Sequence, residues 1–274
     1  MIDVTEWTFD GAQVPIFARC WRDAAAPPRY VAVLVHGYGE HIGRYAHVAE
    51  SLIDNGAVVY GLDHLGHGRS GGERVLVTSF GDVVADVDRV VGEACAAWPD
   101  LPIVMIGHSM GGMIAARYAQ LHGDRLRVLV LSGPAVGEME LLRQLLALDE
   151  MPDVPLDPDV LSRDSAVGAA YAADDLVWHG PFKRPTVEAM VATMEEIDAG
   201  GTLGDLPMLW VHGADDQLVP IEGSRIGIER LRGGMFRTHE YGGARHEVFN
   251  ETNSAEVLAD VTSFIDEVLG GAIA

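Results

Sequence analysis

The sequence is poor in cysteine and in basic residues. Of its 274 residues only Cys20 and Cys95 are cysteines, so neither a disulfide framework nor a cysteine-based metal site is expected. Lys and Arg together number 19 against 41 Asp and Glu, which gives a formal net charge of −22. This excess of negative charge argues against nucleic acid as a partner and against electrostatic docking on anionic lipid.

Signals for export, membrane insertion and nucleotide binding are missing as well. The first residues lack the basic and apolar regions of a signal peptide, and no apolar run approaches the length of a membrane span. No G-x-x-x-x-G-K-[ST] phosphate loop occurs. The lack of a signal peptide and of a membrane span predicts a cytoplasmic protein, with a position peripheral to a membrane as the alternative.

Short apolar runs alternate with amphipathic helical patterns along most of the chain. This alternation predicts βαβ units and a mostly parallel sheet with helices on both faces. A strand pair is expected before residue 30. The later strands are predicted at residues 31–35, 57–62, 103–106, 128–131, 208–211 and 236–241, and the helices at 45–55, 82–97, 110–122 and 255–269.

The alternation stops in residues 134–205, where no strand-like run occurs. Two stretches with apolar residues at helical spacing lie there. The first runs from Met139 to Leu146, and the second runs from Val187 to Ile197 and includes Met190 and Met194. We expect this segment to be a helical cap inserted into a core formed by residues 1–133 and 206–274. Most of its apolar surface is expected to be core, while Met190 and Met194 are candidates for substrate binding. The cap is also a candidate for transient contact with a membrane surface.

A serine bracketed by glycines follows one of the predicted strands. The sequence G-H-S-M-G, residues 107–111, lies between the run 103–106 and the helical pattern that begins at Met110. A sharp turn from strand to helix projects such a serine hydroxyl out of the backbone, and the helix N-terminus adds partial positive charge beside it. The pattern predicts that Ser109 is a nucleophile.

A serine nucleophile needs a base, and the base needs an acid that fixes its tautomer. His246 follows the last predicted strand and precedes the final helix, so it is the predicted base. The loop after the preceding strand supplies the acid, and spacing alone does not choose between Asp215 and Asp216. His212 and His239 fall inside strands, from which a side chain cannot easily reach the serine, and are interpreted as structural.

The backbone is expected to stabilise the oxyanion that forms during acyl transfer. A strand ending at Val35 leads into a glycine-bracketed turn, and the backbone N–H groups of Tyr38 and Met110 are the predicted donors. Histidines are frequent nearby, including the H-x-x-H pair His64 and His67, but no cysteine accompanies them. We therefore predict a rigid turn that supports the serine rather than a metal site, and no cofactor.

Six short motifs are spread over most of the chain. They are H-G-Y-G-E-H with R-Y (36–41 and 44–45), D-H-L-G-H-G-R-S (63–70), G-H-S-M-G-G (107–112), S-G-P-A (132–135), H-G-A-D-D (212–216) and H-E-V-F-N-E (246–251). Together they resemble the motifs of the monoacylglycerol lipases of the α/β-hydrolase superfamily, and most of all those of bacterial, especially actinobacterial, members. Only the predicted cap is loosely matched, and lysophospholipase-like relatives share much of the pattern.

The resemblance implies the α/β-hydrolase fold and roles for further residues. In the family pattern the acid directly precedes a polar or basic residue and then leucine or isoleucine, which selects Asp216 over Asp215. By similarity to mammalian members, Glu40 and Arg44 are expected at the polar end of the substrate pocket. Those members carry a histidine three residues after the catalytic one, where this chain has Phe249, so their glycerol contacts cannot be carried over whole.

Together these features predict a serine hydrolase that cleaves monoacylglycerol to fatty acid and glycerol through an acyl-enzyme. A lysophospholipase or a general carboxylesterase with the same triad is the nearest alternative. Haloperoxidase-like chemistry and carbon–carbon bond hydrolysis are further alternatives on this fold, and a non-catalytic lipid-binding protein is the alternative from another class. The expected partner is a small lipid molecule.

Overall fold

One eight-stranded sheet forms the centre of the molecule. The computed structural model describes residues 1–153 and 156–270. The strands are β1 (Ile2–Asp10), β2 (Pro15–Asp23), β3 (Tyr30–Val35), β4 (Ala57–Leu62), β5 (Ile103–His108), β6 (Val128–Ser132), β7 (Met208–Gly213) and β8 (Phe236–Tyr241). Their order across the sheet is β1-β2-β4-β3-β5-β6-β7-β8. Strand β2 pairs antiparallel with β1 and with β4, and the other neighbours are parallel.

Helices cover both faces of this sheet. They are α1 (Ala46–Asp54), α2 (Phe80–Ala97), α3 (Met110–His122), α4 (Glu140–Ala147), α5 (Ser165–Ala173), α6 (Arg184–Ala199), α7 (Ile221–Leu231) and α8 (Ser254–Gly270). Successive residues of β3 face opposite layers. Val31, Val33 and Val35 share a core with α2 and α3, whereas Ala32 and Leu34 share one with α1 and α8. A strand buried on both faces is a continuous apolar run, which is why the sequence reveals it.

The predicted fold class is confirmed, with a mostly parallel sheet between two helical layers. The strands and helices predicted from apolar patterns are present, with bounds that differ by at most two residues. The expected strand pair at the N-terminal end is the antiparallel pair β1 and β2. Helix α7 has no counterpart among the predictions. Within residues 1–153 and 156–270, no helix combines the length and the hydropathy needed to cross a membrane.

The segment between β6 and β7 contains helices α4, α5 and α6 and, in its described part, no strand. Helices α4 and α6 match the two predicted amphipathic stretches. Helix α5 is rich in alanine and lacks a strong apolar stripe, so periodicity does not reveal it. Helix α6 packs on α3 and joins the main core. The division into a core of residues 1–133 and 206–274 and a cap of residues 134–205 stays a prediction.

Candidate active site

Ser109 occupies a strained turn between β5 and α3. Its φ of 56° lies in the left-handed region, which residues other than glycine rarely adopt. The turn requires glycine on both sides. A Cβ on Gly107 would lie 2.4 Å from the carbonyl oxygen of Gly111, and a Cβ on Gly111 would lie 2.1 Å from that of Val35. The turn therefore packs directly on β3, and α3 begins at the residue after Ser109.

His246 and Asp216 form a buried pair. Nδ1 of His246 lies 2.7 Å from Oδ2 of Asp216, which is hydrogen-bond distance. Burial by itself lowers the pKa of His246, but the carboxylate of Asp216, followed by those of Glu247 and Glu40, raises it above the ordinary imidazole value. In the described part of the chain, Ser109 and His246 line the same cavity but share no hydrogen bond. In enzymes of this kind, the distance between nucleophile and base is often long without substrate and shortens when a substrate binds.

Two backbone N–H groups hold the carboxylate of Asp216. Its Oδ1 accepts from Leu218 and from Val219, each at 2.9 Å. Burial by itself raises the pKa of Asp216, but the adjacent imidazole of His246, followed by that of His212, holds it well below its usual range. The neighbouring Asp215 is exposed. Of the two carboxylates, Asp216 is therefore the one that contacts the predicted base.

His212 also approaches this acid. It lies near the end of β7, and its Nε2 is 2.8 Å from the carbonyl oxygen of Val219 and 3.2 Å from Oδ2 of Asp216. In the described part of the chain, His212 does not line the cavity that holds Ser109, but it does contact the acid loop. His239 lies away from this group and has Nδ1 3.3 Å from Oδ2 of Asp260.

The turn after β3 brings backbone N–H groups close to the serine. A Cβ on Gly37 would lie 3.2 Å from Cβ of Ser109. The N–H of Gly37 donates to Oε1 of Glu40 at 2.7 Å and fixes the turn. Among the described residues, the N–H groups of Tyr38 and Met110 find no backbone carbonyl as acceptor. Both can serve an oxygen bound at the serine, and this role stays a prediction.

The glycine-rich turn after β4 supports this arrangement. The carboxylate of Asp63 accepts from the N–H of Ile42 at 2.8 Å and from that of Arg69 at 2.7 Å. The N–H of His64 donates to Nε2 of His36 at 3.0 Å. The bond to His36 ties the turn to the end of β3, from which the Tyr38 turn departs, and the bonds of Asp63 hold the turn together and join it to Ile42.

Arg44 lies between two buried carboxylates, and we call Glu40, Arg44 and Glu247 the charged cluster. Nη1 of Arg44 donates to Glu40 at 2.6 Å, and Nη1 and Nη2 donate to the two oxygens of Glu247 at 2.8 Å each. Tyr45 donates its hydroxyl to Glu40 at 2.7 Å. Burial by itself raises the pKa of Glu40, but Arg44 and the other partners bring it below the ordinary value. Two carboxylates around one guanidinium leave an excess of negative charge.

Glu247 is the member of this cluster that sequence reasoning missed. Its partner Arg44 is 203 residues away along the chain, so no local pattern connects them. One signal in the sequence could have revealed Glu247. It directly follows His246, and a charged residue so close to the predicted base needs a partner of opposite charge. Phe249, at the position where the resemblance to mammalian members implies a histidine, is buried and lies outside the cavity lining.

A cavity of about 650 Å³, its open mouth included, joins Ser109 and His246 to the charged cluster. Met190 is among its lining residues, whereas Met194 is not. Met194 lies one turn further along α6 and packs in the core, and its contact with substrate stays a prediction. Much of the remaining wall is apolar and includes Met139, Leu142, Leu156, Leu161, Phe182 and Leu218.

Comparison with known proteins identifies the family. The family model described as serine aminopeptidase, S33, matches residues 26–253. The chain is 41% identical to a monoacylglycerol lipase of Mycolicibacterium smegmatis over 247 residues, which are 87% of this chain and 88% of that protein.

Two solved structures support the same assignment. A thermostable carboxyl esterase of Bacillus coagulans in complex with glycerol matches with a TM-score of 0.81 and 25% identity, over 97% of this chain and 99% of that one. A monoacylglycerol lipase of Paleococcus ferrophilus matches with a TM-score of 0.76 and 27% identity, over 98% and 99%. The chain therefore belongs to the serine aminopeptidase S33 family and, within the α/β-hydrolase superfamily, to the monoacylglycerol lipases.

Proposed function

We propose that this ester hydrolase cleaves monoacylglycerol to fatty acid and glycerol, with Ser109, Asp216 and His246 as its triad. The observation that carries the proposal is the two-sided cavity, in which Ser109 and His246 share a space with an apolar wall and a charged wall. A monoacylglycerol has the same division, because its ester lies between a hydrocarbon chain and a glycerol headgroup. Relatives named as monoacylglycerol lipases support the same substrate.

Acylation begins when the hydroxyl of Ser109 attacks the acyl carbonyl and His246 accepts its proton. Asp216 keeps the other imidazole proton on Nδ1, so that Nε2 is free to act as the base. Negative charge then develops on the carbonyl oxygen. The backbone N–H groups of Tyr38 and Met110 stabilise it, and one such donor contributes about 3 kcal/mol in comparable sites.

Acylation ends when His246 gives its proton to the departing glycerol oxygen. In deacylation His246 takes a proton from a water molecule that attacks the acyl-Ser109 ester, and it returns that proton to the oxygen of Ser109 as the acyl–serine bond breaks. Asp216 stays ionised throughout, because its pKa lies well below the usual range, and it stabilises the imidazolium. The products are the free fatty acid and the regenerated serine.

The charged cluster suits an uncharged polyol headgroup. Arg44 is already paired with Glu40 and Glu247, so the cluster offers hydrogen-bonding groups to hydroxyls while its net charge stays negative. A phosphate at this wall would meet like charge. The cluster therefore favours a glycerol monoester over a lysophospholipid.

We also propose that residues 134–205 form a cap whose outer surface meets lipid transiently. Leu141 is 37% exposed and also lines the cavity, and Leu148 is 47% exposed. The net charge of −22 favours a zwitterionic over an anionic surface. The free cysteines Cys20 and Cys95 suit a reducing cytoplasm.

Vesicle binding tests this surface. We expect weak co-sedimentation with phosphatidylcholine vesicles, which Leu141→Ser combined with Leu148→Ser should abolish. Tighter binding to phosphatidylglycerol vesicles would contradict the proposal.

A substrate panel tests the proposed reaction. Monoacylglycerols of graded chain length are compared with diacylglycerol, triacylglycerol and lysophosphatidylcholine, and the monoacylglycerols should give the highest kcat/KM. Ser109→Ala should lose several orders of magnitude in turnover and all labelling by a fluorophosphonate. If this variant kept about a tenth of wild-type turnover, Ser109 would not be the nucleophile.

A further inference from the structure

We infer that His212 is a positioning residue for the acid of the triad, an inference that rests on the proposed function. His212 is fully buried on β7 and does not line the cavity in the described part of the chain. Its Nε2 lies 3.2 Å from Oδ2 of Asp216, the same oxygen that Nδ1 of His246 approaches at 2.7 Å. One carboxylate oxygen therefore lies between two imidazoles, only one of which belongs to the triad.

The surroundings of His212 determine which ring nitrogen carries the proton. Nε1 of Trp210, which can only donate, lies 3.1 Å from Nδ1 of His212. Nδ1 must therefore accept, and in the neutral ring the proton is on Nε2. The two groups nearest Nε2, the carbonyl of Val219 and the carboxylate of Asp216, are both acceptors. His212 thus directs an N–H toward the acid.

A closed ring of contacts joins His212 to the acid loop. The N–H of Val219 donates to Oδ1 of Asp216 at 2.9 Å, and the carbonyl of Val219 accepts from His212 at 2.8 Å. Oδ2 of Asp216 then faces both His212 and His246. Rotation of the carboxylate would break contacts at both oxygens, so its orientation toward His246 is held by His212 together with the backbone of the acid loop.

The same contact has a chemical consequence for the base. A donor near a carboxylate stabilises its charged form, so the N–H of His212 weakens the attraction that Asp216 exerts on the imidazolium of His246. Without this N–H, His246 should hold its proton more tightly and lose it at a higher pH. A residue that acted by packing alone would change stability but not this pH.

Several other ionisable groups lie around His212 and His246, and none of them is replaced in the variants described below. Glu247 and Glu40 raise the pKa of His246 after Asp216 does. The ring of His108 lies 4.7 Å from that of His246, and burial followed by the proximity of His246 lowers the pKa of His108 to about 4. Glu240 is a further charged group near His212.

The pH dependence of kcat/KM on a soluble p-nitrophenyl ester tests the inference. In His212→Asn, the shorter side chain can still accept from Trp210 but cannot reach Asp216. We expect the acidic limb to move upward by about half a pH unit or more, with a lower kcat. His212→Gln, whose amide nitrogen reaches the position of Nε2, should restore the wild-type limb.

Trp210→Phe is the matched control. It removes a buried hydrogen bond to His212, but the two acceptors beside Nε2 still keep the proton on that nitrogen, so the Tm should fall while the acidic limb stays in place. The inference would be overturned if the acidic limb of His212→Asn lay at the same pH as that of the wild type. It would also be overturned if the acidic limb moved equally far in His212→Asn and in Trp210→Phe.

Nitrogen-15 NMR of the wild-type imidazoles gives a second readout that needs no variant. We expect His212 to keep its proton on Nε2, and we expect this resonance to shift as His246 titrates. If the His212 resonance did not shift while His246 titrates, the inference would be overturned. If monoacylglycerols fail as substrates, the proposed function fails, but the NMR titration and the p-nitrophenyl ester profile still report on His212.

Discussion

Arg44 and Glu247 form a buried ion pair joined by two hydrogen bonds, although 203 residues separate them. Nη1 and Nη2 of Arg44 each lie 2.8 Å from one carboxylate oxygen of Glu247. Removing one partner of such a pair leaves an uncompensated buried charge, at a cost of about 3–5 kcal/mol in comparable proteins. Because Glu247 directly follows His246, the pair ties the loop of the base to the turn after β3.

Glu247→Gln should lower kcat/KM for monoacylglycerol about tenfold and narrow the preference for neutral over anionic esters. The amide keeps the size of the side chain but removes the excess negative charge of the cluster and weakens its bonds to Arg44. The measurement compares kcat/KM for a monoacylglycerol and a lysophosphatidic acid.

Glu251→Gln is the control for this change. Glu251 is also buried and pairs with Arg163 at 2.8 Å, but it does not line the cavity in the part of the chain that the structure describes. It should reduce stability and keep the ratio between neutral and anionic esters. An equal change of that ratio in both variants would show that the charged cluster does not select the headgroup.

Asp216→Asn should reduce turnover by orders of magnitude, whereas Asp215→Asn should be nearly silent. An amide opposite Nδ1 can favour the wrong tautomer of His246, a change that costs about 10⁴ in turnover in a well-studied protease. Asp215 is exposed and makes no such contact. Turnover of a short soluble ester is measured for both variants, with thermal melting as the check on folding. The reverse outcome would require Asp215 as the acid.

The sheet could be predicted from the sequence because fully buried strands are apolar runs, as in residues 30–35. Helix α7 could not, because Gly223 and Gly227 interrupt its pattern. A Cβ on Gly227 would lie 2.5 Å from the backbone nitrogen of Gly137, so packing demands the residue that weakens the helical signal. Nor could the contacts of His212 and Glu247 be predicted, since they depend on partners brought together only by the fold.

The pH profile of kcat/KM should have an acidic limb above the ordinary imidazole pKa of about 6.5. His246 must be neutral to accept the serine proton, so the rate falls as pH drops through its pKa. Burial lowers that pKa, but Asp216, Glu247 and Glu40 raise it further than burial lowers it. Glu247→Gln should therefore move the limb to lower pH. A limb below the ordinary value, or one that Glu247→Gln leaves in place, would contradict this electrostatic account.

The two methionines of α6 should separate substrate binding from stability. Met190→Gln puts a polar amide of similar size into the cavity wall, and Met194→Gln puts the same amide into the core. An unsatisfied buried amide costs about 1–3 kcal/mol, so Met190→Gln should lower kcat/KM for long-chain monoacylglycerols about tenfold. A short soluble ester, which does not extend along that wall, should be much less affected. Met194→Gln should instead lower the Tm and reduce both activities in the same proportion. If the ratio of long-chain to short-chain activity changed equally in the two variants, the apolar stripe of α6 would act as core alone, and the acyl chain would have to lie along another wall of the cavity.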